Sequence, residues 1–138
     1  MTKEIWLNMA VKDIKRARAF FTALGFSFNP RFGENDQMAG LMVGDKNFMI
    51  MLATEPMFKG FVQHEITDTS KSSEMLISID AESREEVDSI AKKAVEAGGV
   101  LFGKPANVQG WMYGCGFSDL DGHRWNVLYM DMSKMPKP

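Results

Sequence analysis

Polar and apolar residues alternate at the start of the chain. Across residues 5–11, Leu7, Met9 and Val11 fall on one side and Trp6, Asn8 and Ala10 on the other, the period of a half-buried strand. The period then lengthens. Ile14, Ala17, Phe20, Phe21 and Leu24 recur at helical spacing. Asp13 stands where its carboxylate can accept from the first unpaired N–H groups, and Gly25 stands where a helix must stop. Short apolar runs follow at 26–29, 38–43 and 48–52. The last two flank Gly44-Asp45-Lys46-Asn47, a turn-rich link that predicts a hairpin. The order is β, α, β, β, β.

Residues 54–73 hold no sustained period and are expected to form a long connection, a linker or a lid, docked through Phe58 and Phe61. From Glu74 the pattern restarts. Glu74 to Asp80 alternates, with Met75, Ile77 and Ile79 on one face. Ser83 and Glu86 have the spacing of a capping box; Val87, Ile90, Ala91 and Ala94 make a helical stripe; Gly98-Gly99 ends it. Strands are expected at 100–102, 111–117 and 124–130, the last two joined through Asp121-Gly122, and the tail from Asp131 is expected to be loose. The reading is one α+β domain over 1–138, with module one at about 4–53, the link at 54–73 and module two at about 74–130. Two βαβββ modules would form a curled mixed sheet around a cavity, with the helices outside. Alternation alone turns Trp6, Asn8, Glu74, Leu76, Ser78 and Asn126 toward that cavity.

Composition narrows the function classes. A net charge of -2 gives no field for nucleic acid or an anionic membrane. No apolar run approaches the roughly 20 residues of a membrane span, and the first residues lack the plan of a signal peptide. A single cysteine, Cys115, cannot form an internal disulfide, so a cytoplasmic setting is expected and the thiol is read as buried and inert. Methionine is abundant, 12 of 138 residues, and thioether side chains fill irregular cores or line adaptable apolar pockets. Candidate chemistry is sparse. Trp6 and Trp111 offer planar surfaces for stacking, Tyr113 a hydroxyl, and Asn8 and Asn126 amides; these five are the expected ligand-binding residues. Glu74 is the candidate catalytic group, because a carboxylate facing an apolar cavity can take or give a proton near neutrality. His123 is read as structural, and His64 as an exposed loop residue or an acid–base group.

Val11-Lys12-Asp13, Ala19-Phe20-Phe21 and Leu24-Gly25-Phe26, together with Ser118-Asp119-Leu120-Asp121-Gly122-His123-Arg124-Trp125-Asn126, resemble the opening and closing signatures of the vicinal-oxygen-chelate superfamily. Trp111-Met112-Tyr113-Gly114 adds similarity to its small glyoxalase-like branch. The resemblance spans about residues 4–130. It implies the paired-module fold, a homodimer, and in many members a divalent ion held from the opening strand, from the first strand of module two and from a terminal Glu. Those places correspond here to Trp6, Glu74 and Asn126. Trp is no ligand and Asn is a weak one for these ions, so no metal and no other cofactor is expected. The expected function is glyoxalase/bleomycin-resistance-like binding of a small, partly apolar molecule between the sheets. The alternatives are a divalent-metal-dependent lyase, isomerase or dioxygenase of glyoxalase type, and a metal-free isomerase or lyase with Glu74 as base.

Overall fold

A computed structural model of the chain describes residues 1–32 and 35–138. The chain forms two compact units, Met1–Asp68 and Thr69–Pro138. Each carries a four-stranded mixed sheet, so the fold is α+β with a repeated module.

In the first unit the elements are β1 (Leu7–Val11), α1 (Ile14–Ala23), β2 (Ser27–Phe28), β3 (Met38–Val43), β4 (Phe48–Thr54) and α2 (Glu55–Val62). The sheet order is β1-β4-β3-β2; β1 runs parallel to β4 and the other pairs are antiparallel. A parallel pair cannot be joined by a tight turn, so the chain must cross over between β1 and β4, and α1 lies in that crossover. Its start is fixed by the Asp13 carboxylate, which accepts from the Arg16 N–H at 3.1 Å. Its end is fixed by Gly25 at φ +99°, a left-handed turn with little steric cost for glycine. The apolar stripe of α1 (Ile14, Ala17, Phe20, Phe21) is buried, as are Met9, Val11, Leu41, Ile50 and Leu52 from the strands. Burial of each large side chain is worth about 1.5–3 kcal/mol, and together they make the core of the unit.

The second unit repeats the plan with β5 (Leu76–Asp80), α3 (Arg84–Glu96), β6 (Val100–Val108), β7 (Met112–Ser118) and β8 (Arg124–Met130), in the order β5-β8-β7-β6. Again the first strand is parallel to the last. Ser83 caps α3 by accepting from the Glu86 N–H at 3.0 Å. Val87, Ala91 and Ala94 of α3 are buried, and so are Cys115, Phe117, Trp125 and Val127 of β7 and β8. The Phe117 and Trp125 rings stack with centroids 6.0 Å apart.

Several boundaries differ from the sequence reading: β1 begins at Leu7 rather than Ile5, leaving Trp6 outside the strand, and the tail holds a helical turn at Met132–Lys134. The link after β4 is not irregular throughout, because residues 55–62 form α2. Met57, Phe58, Phe61 and Val62 do have helical spacing, but one and a half turns of pattern are too few to register, and none of them is fully buried. Strand β5 starts at Leu76, leaving Glu74 outside the sheet. Strand β6 is three times the expected length, continuing past Gly103 and Pro105 to Val108. Proline removes a donor, which an edge strand tolerates; β6 is an edge strand, and its register slips between Leu101 and Gly103 and again before Ala106.

The turn before β8 is tight. Gly122 adopts φ +85°, and a β-carbon there would stand 2.7 Å from the Thr69 carbonyl oxygen. Gly122→Ala is therefore expected to destabilise the protein by at least about 1–2 kcal/mol, the left-handed penalty alone, read as a lower urea midpoint. An unchanged midpoint would show that this turn relaxes without cost.

Candidate functional site

The helix-covered side of each sheet is fully occupied by core. In the first unit the other side carries the chemistry. Register places Asn8 beside Met51 and Ala10 beside Ala53 across β1 and β4, and sets Gly40 against Met51 and Met42 against Met49 across β3 and β4. A groove of about 690 Å³ opens along this face. Its apolar lining comes from Trp6, Met38, Phe48, Met49, Met51 and Phe61, the last supplied by α2. Glu4, Asn8, Lys46 and Asn47 add polar atoms. Trp6 is 54% exposed and Phe61 52%, large apolar surfaces turned outward within one concave patch. Asn47 sits at φ +54° in the β3–β4 turn, a conformation asparagine tolerates, and its N–H closes the turn on the Gly44 carbonyl at 3.1 Å.

Among the expected ligand-binding residues, Trp6 and Asn8 are thus brought together. The other three belong to the second unit. Asn126 lies in β8 opposite Ser78 of β5, and its amide nitrogen donates to the Ser78 hydroxyl oxygen at 3.4 Å. Tyr113 occupies the opposite side of β7 from Gly114, facing α3. Its hydroxyl donates to the Asp88 carboxylate at 2.7 Å and the Arg84 guanidinium stands 5.0 Å from its ring centre. That hydrogen bond to Asp88, more than anything else, pushes its hydroxyl above the usual tyrosine range. Tyr113 therefore ties a strand to a helix. Trp111 follows the left-handed pair Gln109-Gly110; its carbonyl accepts from the Asp131 N–H at 2.8 Å, while its indole N–H is buried without a partner. Glu74 is exposed in the bend before β5. His64 is exposed too, and its Nδ1–H donates to the Glu65 carbonyl at 2.7 Å.

The groove residues that sequence reasoning missed are chiefly Met38, Met49 and Met51. Their signal was present: two alternating strands joined by a short turn put all three on the same side of the hairpin.

The terminal motif is a folding device. The buried Asp119 carboxylate accepts from the N–H groups of Asp121 (3.0 Å) and His123 (3.1 Å) through one oxygen and from the Trp125 indole (3.1 Å) through the other. Burial raises its ionisation above the usual carboxylate range; His123, the Trp125 indole and the Asp121 N–H pull it back down. Thr69 binds the Asp121 carbonyl through its hydroxyl. His123 belongs to this knot through its backbone N–H and carbonyl.

The chain matches the bleomycin resistance protein-like N-terminal family model over residues 3–44. It is 33% identical to a hypothetical protein from S. aureus of known structure, covering 94% of this chain and 95% of that one with a TM-score of 0.83. A glyoxalase/bleomycin resistance protein/dioxygenase family enzyme from Burkholderia phytofirmans is 19% identical over 91% of this chain and 96% of its own, with a TM-score of 0.77. A fosfomycin resistance protein from Listeria monocytogenes, solved with Mn(II) and sulfate, is 15% identical over 94% and 91%, with a TM-score of 0.67. At the last two identities the likeness is one of fold. No curated protein matches the chain. Fold, motifs and relatives together define a paired βαβββ protein. Residues 3–44 match the bleomycin resistance protein-like N-terminal family, and the chain shares the fold of glyoxalase/bleomycin resistance/dioxygenase proteins.

The divalent ion that this resemblance implies does not suit the residues at its three positions. The indole nitrogen of Trp6 carries a hydrogen and offers no lone pair. Asn126 is neutral and directs its amide at Ser78. Glu74 alone is an anionic oxygen donor. Among the described residues no three His, Cys, Asp or Glu side chains converge.

Cys115 gives a direct test of the core on the helix side of β7. Burial pushes its thiol up to about 11. The folded state then holds this proton more tightly than the unfolded chain. Its contribution to stability is complete below pH about 8.5 and is lost as pH rises toward 11. Native protein at pH 8 is expected to leave an aromatic disulfide reagent unreacted, with one thiol appearing in denaturant. A fast native reaction would contradict the packing of Cys115 against Val87.

Proposed function

We propose that this protein binds a small, partly apolar molecule in the methionine- and aromatic-lined groove of its first module, without the family's divalent ion. The carrying observation is the groove itself. Its volume of about 690 Å³ falls within the range of small-molecule sites. Its walls are thioether and aromatic, and its polar groups are few and gathered from Asn8, Lys46, Asn47 and Glu4. Such a lining offers dispersion and desolvation to an apolar body, and a handful of hydrogen bonds to orient a polar end. Trp6, exposed and flat, supplies the stacking surface. The thioethers adapt their rotamers to irregular shapes, which favours a tolerant site over a narrowly fitted one. Metal independence rests on the donor set, since an indole stands where the opening strand would have to supply a ligand.

The test uses chelator-dialysed protein and the apolar fluorophore 8-anilinonaphthalene-1-sulfonate. Saturable binding is expected, accompanied by a change in Trp6 emission and unaltered when Zn, Ni, Mn or Fe(II) is restored. Trp6→Ala removes about one aromatic contact, roughly 0.5–1.5 kcal/mol, and should weaken binding up to about tenfold with the melting temperature preserved. Binding that appears only with added metal, or that ignores Trp6→Ala, would overturn the reading.

A further inference from the structure

The groove of the first module is polar at one end and apolar at the other, and strand direction decides which. Strands β1 and β4 are parallel neighbours, with Leu7 opposite Ile50. The residues that lead into them, Glu4 to Trp6 before β1 and Lys46-Asn47 before β4, therefore enter the sheet at the same end, beside the β3–β4 turn. Neighbouring strands lie about 4.8 Å apart, which brings the two lead-in segments alongside each other. Glu4, Lys46 and Asn47 all line the groove there. The other end is apolar. Met38 stands opposite Ala53 near the far end of β4, and Phe61 comes from α2, which follows β4 directly. Asn8, Met49 and Met51 lie between the two ends.

The polar end holds one charge of each sign. Glu4 and Lys46 are exposed, and among the described residues neither makes an ion pair or a side-chain hydrogen bond. Lys46 and the Asn47 amide can donate to an anionic group. The Glu4 carboxylate and the face of the Trp6 indole attract a cationic one. A purely anionic head would meet Glu4, and a purely cationic head would meet Lys46; each such meeting of like charges costs affinity. A head that carries both charges satisfies both side chains.

On the apolar-ligand reading above, which this depends on, we infer that the groove selects a small zwitterionic amphiphile. Its cationic group lies between Glu4 and the Trp6 face, its anionic group lies at Lys46 and Asn47, and its apolar chain runs past Met49 and Met51 toward Met38 and Phe61.

The probes share one octyl chain and differ only in the head: octylphosphocholine (zwitterion), octyltrimethylammonium (cation), octyl sulfate (anion) and octyl glucoside (neutral), each below its micelle concentration. Affinities are read from the Trp6 indole signal in NMR titrations of the full chain at low ionic strength. The zwitterion is expected to bind about two- to fivefold more tightly than either singly charged probe, the scale of one exposed ion pair. Added salt should narrow the gap. Glu4→Gln should remove the zwitterion's advantage over the sulfate, and Lys46→Gln its advantage over the ammonium probe. Both side chains are exposed, so the melting temperature should hold in each variant. Magnetisation transfer should join the choline methyls to the Trp6 ring and the end of the octyl chain to Phe61. The protein should not sediment with phosphatidylcholine vesicles; sedimentation would identify a lipid surface in place of a free small molecule and overturn the inference. Equal affinity for all the probes, an order unmoved by either variant, or a head seated at the Phe61 end would overturn it too. Those outcomes leave the apolar-ligand reading standing. Failure of every octyl probe and of the anilinonaphthalene fluorophore alike would remove both.

Discussion

Everything in each module depends on one pairing: the first strand lies parallel to the last, β1 with β4 and β5 with β8. Parallel neighbours cannot be linked by a hairpin, so the chain has to leave the sheet and return, and the crossover brings a helix onto one side. That side becomes core. Trp125, Phe117 and Val127 vanish under α3, and Met9, Leu41 and Leu52 are buried in the unit that carries α1. Because strand side chains alternate, the same constraint assigns every second residue to the other side. Asn8, Met49 and Met51 lie there for that reason, and Trp6, just ahead of β1, joins them in the groove.

The groove and the donor set have to be read together. A site of this size lined by thioether and aromatic groups is suited to apolar contact. It holds few groups able to stabilise charge as it develops in a reaction. The candidate catalytic group, Glu74, lies in an exposed bend ahead of β5 and outside the sheet. The proposed binding role uses the groove residues of the first module without assigning a proton transfer to any of them.

Much of the fold was legible in the sequence, and the reasons are physical. Helix α1 announced itself through Asp13, a clear apolar stripe and Gly25, and β8 through alternation bounded by Asp121-Gly122. The misses share a cause. Helix α2 is short and half exposed, so tertiary contact, not periodicity, decides its state. Strand β6 carries Gly103 and Pro105, residues that argue against a strand unless its edge position is known. For the site, alternation grouped Trp6 with Asn8, but gave Tyr113 no side until β7 was paired with β8. Once Tyr113 is set beside Tyr129 in that register, its hydroxyl belongs to Asp88 and α3.

The family motif has two separable parts. Asp119, Asp121, Gly122 and His123 make the turn that delivers β8 to its place between β5 and β7, and every polar contact that Asp119 makes there is internal. Those residues match the family pattern because the fold needs them. Asn126 comes three residues after His123 on the opposite side of the strand from Trp125, and it plays no part in that knot. Replacing an acidic side chain there costs the turn nothing, so the architecture persists while the ligand chemistry changes. Motif resemblance in this chain therefore reports on how the backbone is tied. The residues turned away from the helices report on what the protein can hold.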